Sequence, residues 1–179
     1  LIEQDRPLAG RVARAGRLLI TGFDGAITTC IGADYSRACT VLYDYPAFAQ
    51  RQAQMLWNLL AREQRLEWLS HVHMRPRQHE GVEANDHMYD LAYEWTPFSL
   101  YDQIEVVGKR IQQLAGKLSP GALAFIVGPV TVADGCRTAG MQMQAITPVA
   151  SLPTVRMHQS VLPRAQLKPG VMLYQMARV

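Results

Sequence analysis

A chain of 179 residues, 49% apolar and 18% charged, is long enough to bury a full core and too apolar to remain disordered. Its net charge of +3 comes mainly from scattered arginines, with lysine only at Lys109, Lys117 and Lys168, which argues against a nucleic-acid partner. No run approaches the roughly 18 apolar residues of a membrane span, no signal peptide is recognisable, and Cys30, Cys39 and Cys136 lack paired spacing. These features predict a protein of a reducing, cytoplasmic compartment without a membrane partner, its cysteines buried thiols.

Residues 1–16 read as a solvated lead-in segment whose Arg6, Arg11 and Arg14, with Arg17, face water. A single domain is expected over 17–179. The chain opens on Leu1 rather than methionine, so a larger parent chain, or a homodimer, is a natural setting for it.

Leu18 to Thr21 is a short apolar strand ending at Gly22. A glycine turn follows, then a short helix over Ala26 to Gly32. Cys39 to Tyr43 makes the second strand, closed by Asp44. Strand, glycine turn, helix, strand and acid is the order with which an α/β sheet makes a nucleoside site. Glycines let the backbone approach the ligand, and the acid about 20 residues on receives ribose hydroxyls.

Pro46 suits the first position of a helix whose Phe48, Met55, Leu56, Leu59 and Leu60 recur at helical spacing. Leu66 to Ser70 reads as a third strand, and the polar segment from His71 to Asn85 as a loop with a short helix. His87 to Glu94 reads as a fourth strand. Ile104, Val107, Ile111, Leu114 and Leu118 mark one face of a helix that Ser119-Pro120-Gly121 stops. Ala122 to Val127 is a continuous apolar run, as in a central parallel strand covered on both faces. Thr131 to Ala145 reads as a further helix. Thr154 to Leu162 and Val171 to Arg178 read as an antiparallel pair. The expected fold is a doubly wound, mostly parallel, seven-stranded α/β sheet of Rossmann-like type with its last strand antiparallel.

In this order the chain resembles the class I S-adenosylmethionine-dependent methyltransferases, and within them the small-molecule O-methyltransferases. The resemblance runs from Arg17 to Val179. Tyr43-Asp44-Tyr45-Pro46 is similar to that family's Phe-Asp-Leu-Pro, Leu91-Ala92-Tyr93-Glu94-Trp95 to its Leu-His-Asp-Trp, and Leu118-Ser119-Pro120-Gly121-Ala122 to its Leu-x-Pro-Gly-Gly. It implies S-adenosylmethionine over the carboxyl ends of strands one, two and four, and a small-molecule acceptor. Thr21, Gly22, Phe23, Asp24 and Gly25 would hold the amino-acid end of the cofactor, and Asp44 with Tyr45 its ribose. Ser70 would stand beside the adenine.

Tyr93 falls where the family keeps a catalytic histidine, Glu94 on the neighbouring acid, and His71 lies near the same end of the sheet; these three are the candidates for chemistry. The turn keeps two glycines of the family's Gly-x-Gly-x-Gly, and Ser70-His71 replaces its Gly-Asp. The alternative reading is therefore a catalytically degenerate methyltransferase-fold domain that serves as a structural or interaction module. His71, His73, His79 and His87, with Glu80, lack the fixed spacing of three or four metal ligands, so no metal is expected. Trp57, Trp68, Trp95, Met141 and Met143 read as packing residues.

Overall fold

The computed structural model describes residues 16–22, 38–43, 51, 55, 58, 62, 72–76, 88–96, 100–149 and 170–179. In chain order these form β1 (Arg17–Gly22), β2 (Ala38–Tyr43), β3 (Val72–Pro76), β4 (Tyr89–Trp95), α1 (Ile104–Gly116), β5 (Leu118–Gly128), α2 (Val132–Thr138), β6 (Met141–Pro148) and β7 (Met172–Arg178). The strands make one sheet of order β3-β2-β1-β4-β5-β7-β6. β3, β2, β1, β4 and β5 run parallel, and β7 lies antiparallel between β5 and β6. From β1 the chain builds outward through β2 to β3, then returns to the other side of β1 with β4. The strand order thus reverses between β1 and β4, and the crevice beyond their carboxyl ends is where sheets of this kind take ligands.

β5 shows why the sheet is covered on both faces. From Ala122 to Gly128 every residue is buried, and successive side chains go to opposite cores. Ala122, Ala124 and Ile126 join Val107, Ile111 and Leu114 of α1 and Val132 and Cys136 of α2. Leu123, Phe125 and Val127 join Leu18, Ile20, Leu91 and Leu173 on the other side. At the start of β4, the carboxylate of exposed Asp90 accepts hydrogen bonds from the backbone amides of Gly16 and Arg17, both at 3.1 Å, and so ties β1 to its neighbour.

Several elements lie elsewhere than the sequence predicts. The third strand is Val72–Pro76, inside the segment read as a loop; Leu66 to Ser70 lies outside the described residues. β3 is an edge strand, where a histidine, an arginine and a proline are tolerated. The fourth strand runs from Tyr89 to Trp95, and His87 is outside the described residues. β5 begins at Leu118, so Ser119-Pro120-Gly121 belongs to the strand. Its register slips between the pairs Tyr89–Leu118 and Leu91–Leu123, and Gly121 takes φ +76° to allow this.

The helix expected over Thr131 to Ala145 ends at Thr138, because Gly140 adopts φ +68° and its amide closes the last turn on the Arg137 carbonyl at 3.1 Å. Met141 to Pro148 then pairs antiparallel with β7, in place of Thr154 to Leu162, which is outside the described residues. Ile104 is 62% exposed rather than part of the buried face of α1, and Met143 is 41% exposed on the outer strand β6, whereas Met141 is buried. Arg51, Met55, Asn58 and Arg62 are helical and exposed at spacings of four, three and four, so Met55 sits on the water-facing side of its helix. Of the three cysteines, Cys136 is fully buried, Cys39 lies within β2, and Cys30 is outside the described residues.

Candidate functional site

The site is built from the ends of four parallel strands. β1 finishes with Thr21-Gly22, β2 with Tyr43, β4 with Glu94-Trp95 and β5 with Val127-Gly128. Register places Thr21 directly beside Glu94, and Gly22 beside Trp95. Of the residues expected at the site, Phe23, Asp24, Gly25, Asp44, Tyr45, Ser70 and His71 lie outside the described residues. Thr21, Gly22, Tyr93 and Glu94 are described.

Tyr93 and Glu94 are consecutive on a strand, so their side chains leave opposite faces of the sheet. Tyr93, half-buried, packs against the core that contains Ile20 and Phe125, its partners in register. Glu94 is 1% exposed on the helix-covered face, where its Oε1 accepts from Nε of Arg110 at 3.0 Å and from Nη2 at 2.7 Å. Two bonds from one guanidinium to one carboxylate oxygen join Glu94 and Arg110 in a buried ion pair. The pair that sequence grouped for chemistry is therefore split, with Glu94 anchored from α1.

Arg110 was not anticipated, because arginine is rarely buried. Its position was nonetheless visible: residue 110 is three after Val107 and four before Leu114, hence on the apolar face of α1. Thr96 extends the same face two residues beyond Glu94 and is 1% exposed. Gly128 lies against it. A Cβ there would come 2.9 Å from Thr96 Oγ1 and 2.7 Å from Val132 Cγ2, so only glycine lets the end of β5 pass.

Buried hydroxyls complete this end of the sheet. Thr21 is 3% exposed, and its Oγ1 has no hydrogen-bond partner among the described residues; Thr131 Oγ1, just before α2, is in the same condition. An unsatisfied buried hydroxyl costs free energy, so each has bonding capacity that the described residues leave unused. Tyr174 donates from its hydroxyl to the Pro129 carbonyl at 3.0 Å. Burial pushes its pKa up to about 12, with Cys136 and Asp134 adding to the shift. The Tyr101 hydroxyl is likewise pushed up to about 12, first by burial and then by Tyr174. Both phenols stay protonated near neutral pH, so neither serves as a base there. Burial alone pushes the Cys136 thiol up to about 12.

Among the described residues there is no cluster of histidine, cysteine, aspartate or glutamate fit for a metal, and no helix long and apolar enough to cross a membrane.

No protein-family model and no curated protein matches the sequence. Solved structures do match the fold. An S-adenosylmethionine-dependent methyltransferase from Mesorhizobium loti superposes with a TM-score of 0.66 at 10% identity, covering 99% of this chain and 100% of that one. The N-methyltransferase NodS from Bradyrhizobium japonicum gives 0.62 at 14% identity, with 99% and 96% covered. The [4+2]-cyclase SpnF gives 0.64 at 12% identity, with 99% and 80% covered, so the fold by itself does not fix the reaction. Strand order, the antiparallel insertion of β7 and these superpositions agree: the chain has the fold of the class I S-adenosylmethionine-dependent methyltransferases.

Proposed function

We propose that the chain binds S-adenosylmethionine at the carboxyl ends of β1, β2 and β4 and transfers its methyl group to the hydroxyl of a small-molecule acceptor. The observation that carries this reading is the buried Thr21 hydroxyl, which has no hydrogen-bond partner among the described residues. It is buried at the last side-chain position before the glycine turn and one strand from Glu94, and the residues present fit a polar ligand there.

In this reading the Thr21-Gly22-Phe23-Asp24-Gly25 turn takes the amino-acid end of the cofactor through backbone amides. Asp44, next to Tyr45, accepts the two ribose hydroxyls, and Ser70 stands beside the adenine. When bound, the cofactor supplies an electrophilic methyl carbon on a sulfonium. The acceptor hydroxyl would have to be held in line with that carbon and give up its proton, with Tyr93 and His71 as the proposed groups beside it. The protein's main task is alignment. Glu94, held by Arg110, positions the end of β4; Tyr93 and His71 are the groups proposed to face the acceptor. Exposed apolar Ile104 and Val130, near the starts of the helices that follow β4 and β5, offer an apolar rim, and the Thr131 hydroxyl offers a hydrogen bond. That mixture suits a small acceptor with both an apolar body and a hydroxyl.

Thermal denaturation with S-adenosylmethionine or S-adenosylhomocysteine tests the reading. Ligand at 100 times its dissociation constant adds about 2.7 kcal/mol. For a chain of this length that raises Tm by roughly 5–11 °C. Asp44→Ala is expected to remove the shift and leave the unliganded Tm near the parent value. No shift at millimolar ligand overturns the proposal.

A further inference from the structure

The two edges of the sheet differ. β3 includes Arg75 and Pro76, the charge and proline that keep other strands from pairing with an edge. β6, Met141-Gln142-Met143-Gln144-Ala145-Ile146-Thr147-Pro148, has no charged residue and no proline before its last position. Only its first residue is buried, and Gln142 to Ile146 are exposed one after another. β7 pairs with one side of β6, and no strand pairs with the other side among the described residues. We infer that β6 is a dimer edge, pairing antiparallel with β6 of a second copy so that the two sheets run on as one. β5 and β7 separate β6 from β4, so this edge lies away from the proposed cofactor site and its pairing does not depend on a ligand there.

What selects a second copy is the pattern of faces along β6. Register with β7 puts Met143 beside buried Met176 and Ile146 beside buried Tyr174, both in the helix-covered core that Met141 also joins. Gln142 and Thr147 stand beside Ala177 and Leu173, on the opposite face. A bulge makes this possible: Gln144 is the extra residue between Met143 and Ala145, and its Oε1 accepts from Nε2 of Gln175 at 3.1 Å. Without the bulge, residues 143 and 146 would lie on opposite faces. With it, the order of faces reads the same in both directions from the middle of the strand. Antiparallel pairing about a two-fold axis through that middle, normal to the sheet, brings Met143 opposite the partner's Ile146. The same pairing sets Gln142 opposite the partner's Thr147, so apolar meets apolar and polar meets polar. Met143 and Ile146 are 41% and 47% exposed, and each has side chain left to bury. An unrelated peptide would have to supply this pattern, whereas a second copy carries it. Two chains of net charge +3 repel each other, and here they meet where neither presents a charge. A strand of eight residues is about 27 Å long, a small contact for a dimer, so the association is reversible.

The test is sedimentation equilibrium of the whole chain from micromolar to millimolar concentration, over which the parent is expected to pass from monomer to dimer. Ile146→Lys puts a charge on the pairing edge and is expected to weaken association about tenfold or more, with the melting temperature in dilute solution kept near the parent's. Met143→Lys is expected to do the same. In Met143→Lys/Ile146→Glu each introduced ammonium faces the partner's introduced carboxylate, and this double variant is expected to regain most of the lost association. Should the variants not fold, hydrogen exchange of the parent replaces them: the amides of Gln142 to Thr147 are expected to exchange more slowly at high than at low protein concentration. A parent that stays monomeric at millimolar concentration overturns the inference, whether or not another part of the same chain covers the edge. A dimer that Ile146→Lys leaves intact, a double variant as weak as the single ones, or exchange in β6 that is independent of concentration overturns it as well.

Discussion

The tightest contact at the site gives a direct test of the packing. Gly128→Ala adds one methyl group at the end of β5, 2.7 Å from Val132 Cγ2, 2.9 Å from Thr96 Oγ1 and 3.3 Å from Thr96 Cβ. Ordinary carbon–carbon contact is about 3.5–4.0 Å, so something must move by close to 1 Å. Neither neighbour can do so easily. Val132 is 0% exposed and Thr96 1% exposed, and both are β-branched with few χ1 choices. Overpacking of this kind costs about 1–3 kcal/mol, or roughly 2–12 °C in Tm for a chain of this size. Val132→Ala removes the offending methyl, so Gly128→Ala/Val132→Ala is expected to be less destabilised than the sum of the two single variants, with a coupling of about 0.5–3 kcal/mol. Differential scanning calorimetry of the parent and three variants closes the cycle. A Gly128→Ala protein as stable as the parent, or strictly additive effects, would refute the close approach of β5, Thr96 and α2.

Arg110→Met alone leaves the Glu94 carboxylate buried without its guanidinium and is expected to cost about 3–5 kcal/mol in urea unfolding. Glu94→Leu/Arg110→Met is expected to recover most of that loss; equal destabilisation by both would show that the pair contributes more than its own cancellation. In alkali, the raised pKa values of Cys136, Tyr101 and Tyr174 mean that the unfolded chain loses these protons first. Their contribution is complete below about pH 9 and is lost as pH rises from there toward 12, since unfolding then releases protons. Cys136→Ala and Tyr174→Phe are each expected to flatten that decline in a series of melts; a stability that does not fall between pH 9 and 12 would contradict the burial of these groups.

What could be read from the chain divides along physical lines. β1 and the centre of β5 were legible because strands buried on both faces need continuous apolar runs, and β2 was legible from its own short apolar run before Asp44. β3 and β6 were not, and both are at the edges of the sheet, where the demand for apolar residues lapses. Met141-Gln142-Met143-Gln144 does alternate, but methionine and glutamine are good helix formers, and propensity hid the period of two. The glycine at position 140 was visible as a helix stop and outweighs that propensity. At the site, Thr21, Gly22 and Glu94 stand at strand ends as the sequence order implied. The partnership of Glu94 with Arg110 was beyond reach, because it joins a strand to a helix through a contact that no local pattern encodes.

The place of β7 has a consequence for how the chain acquires its shape. β6 is made before β7, yet β7 lies between it and β5. Until Met172–Arg178 has left the ribosome, β6 has no strand partner among the described residues and β5 presents its uncharged run Ala122-Leu123-Ala124-Phe125-Ile126-Val127 along an open edge. An open edge of that composition is a template for pairing with other chains. The chain is therefore vulnerable to such pairing until β7 takes its place between β5 and β6. Insertion of β7 fills the gap between β5 and β6 and brings the Tyr174 hydroxyl to the Pro129 carbonyl in the same event, so strand pairing and the bracing of the end of β5 coincide.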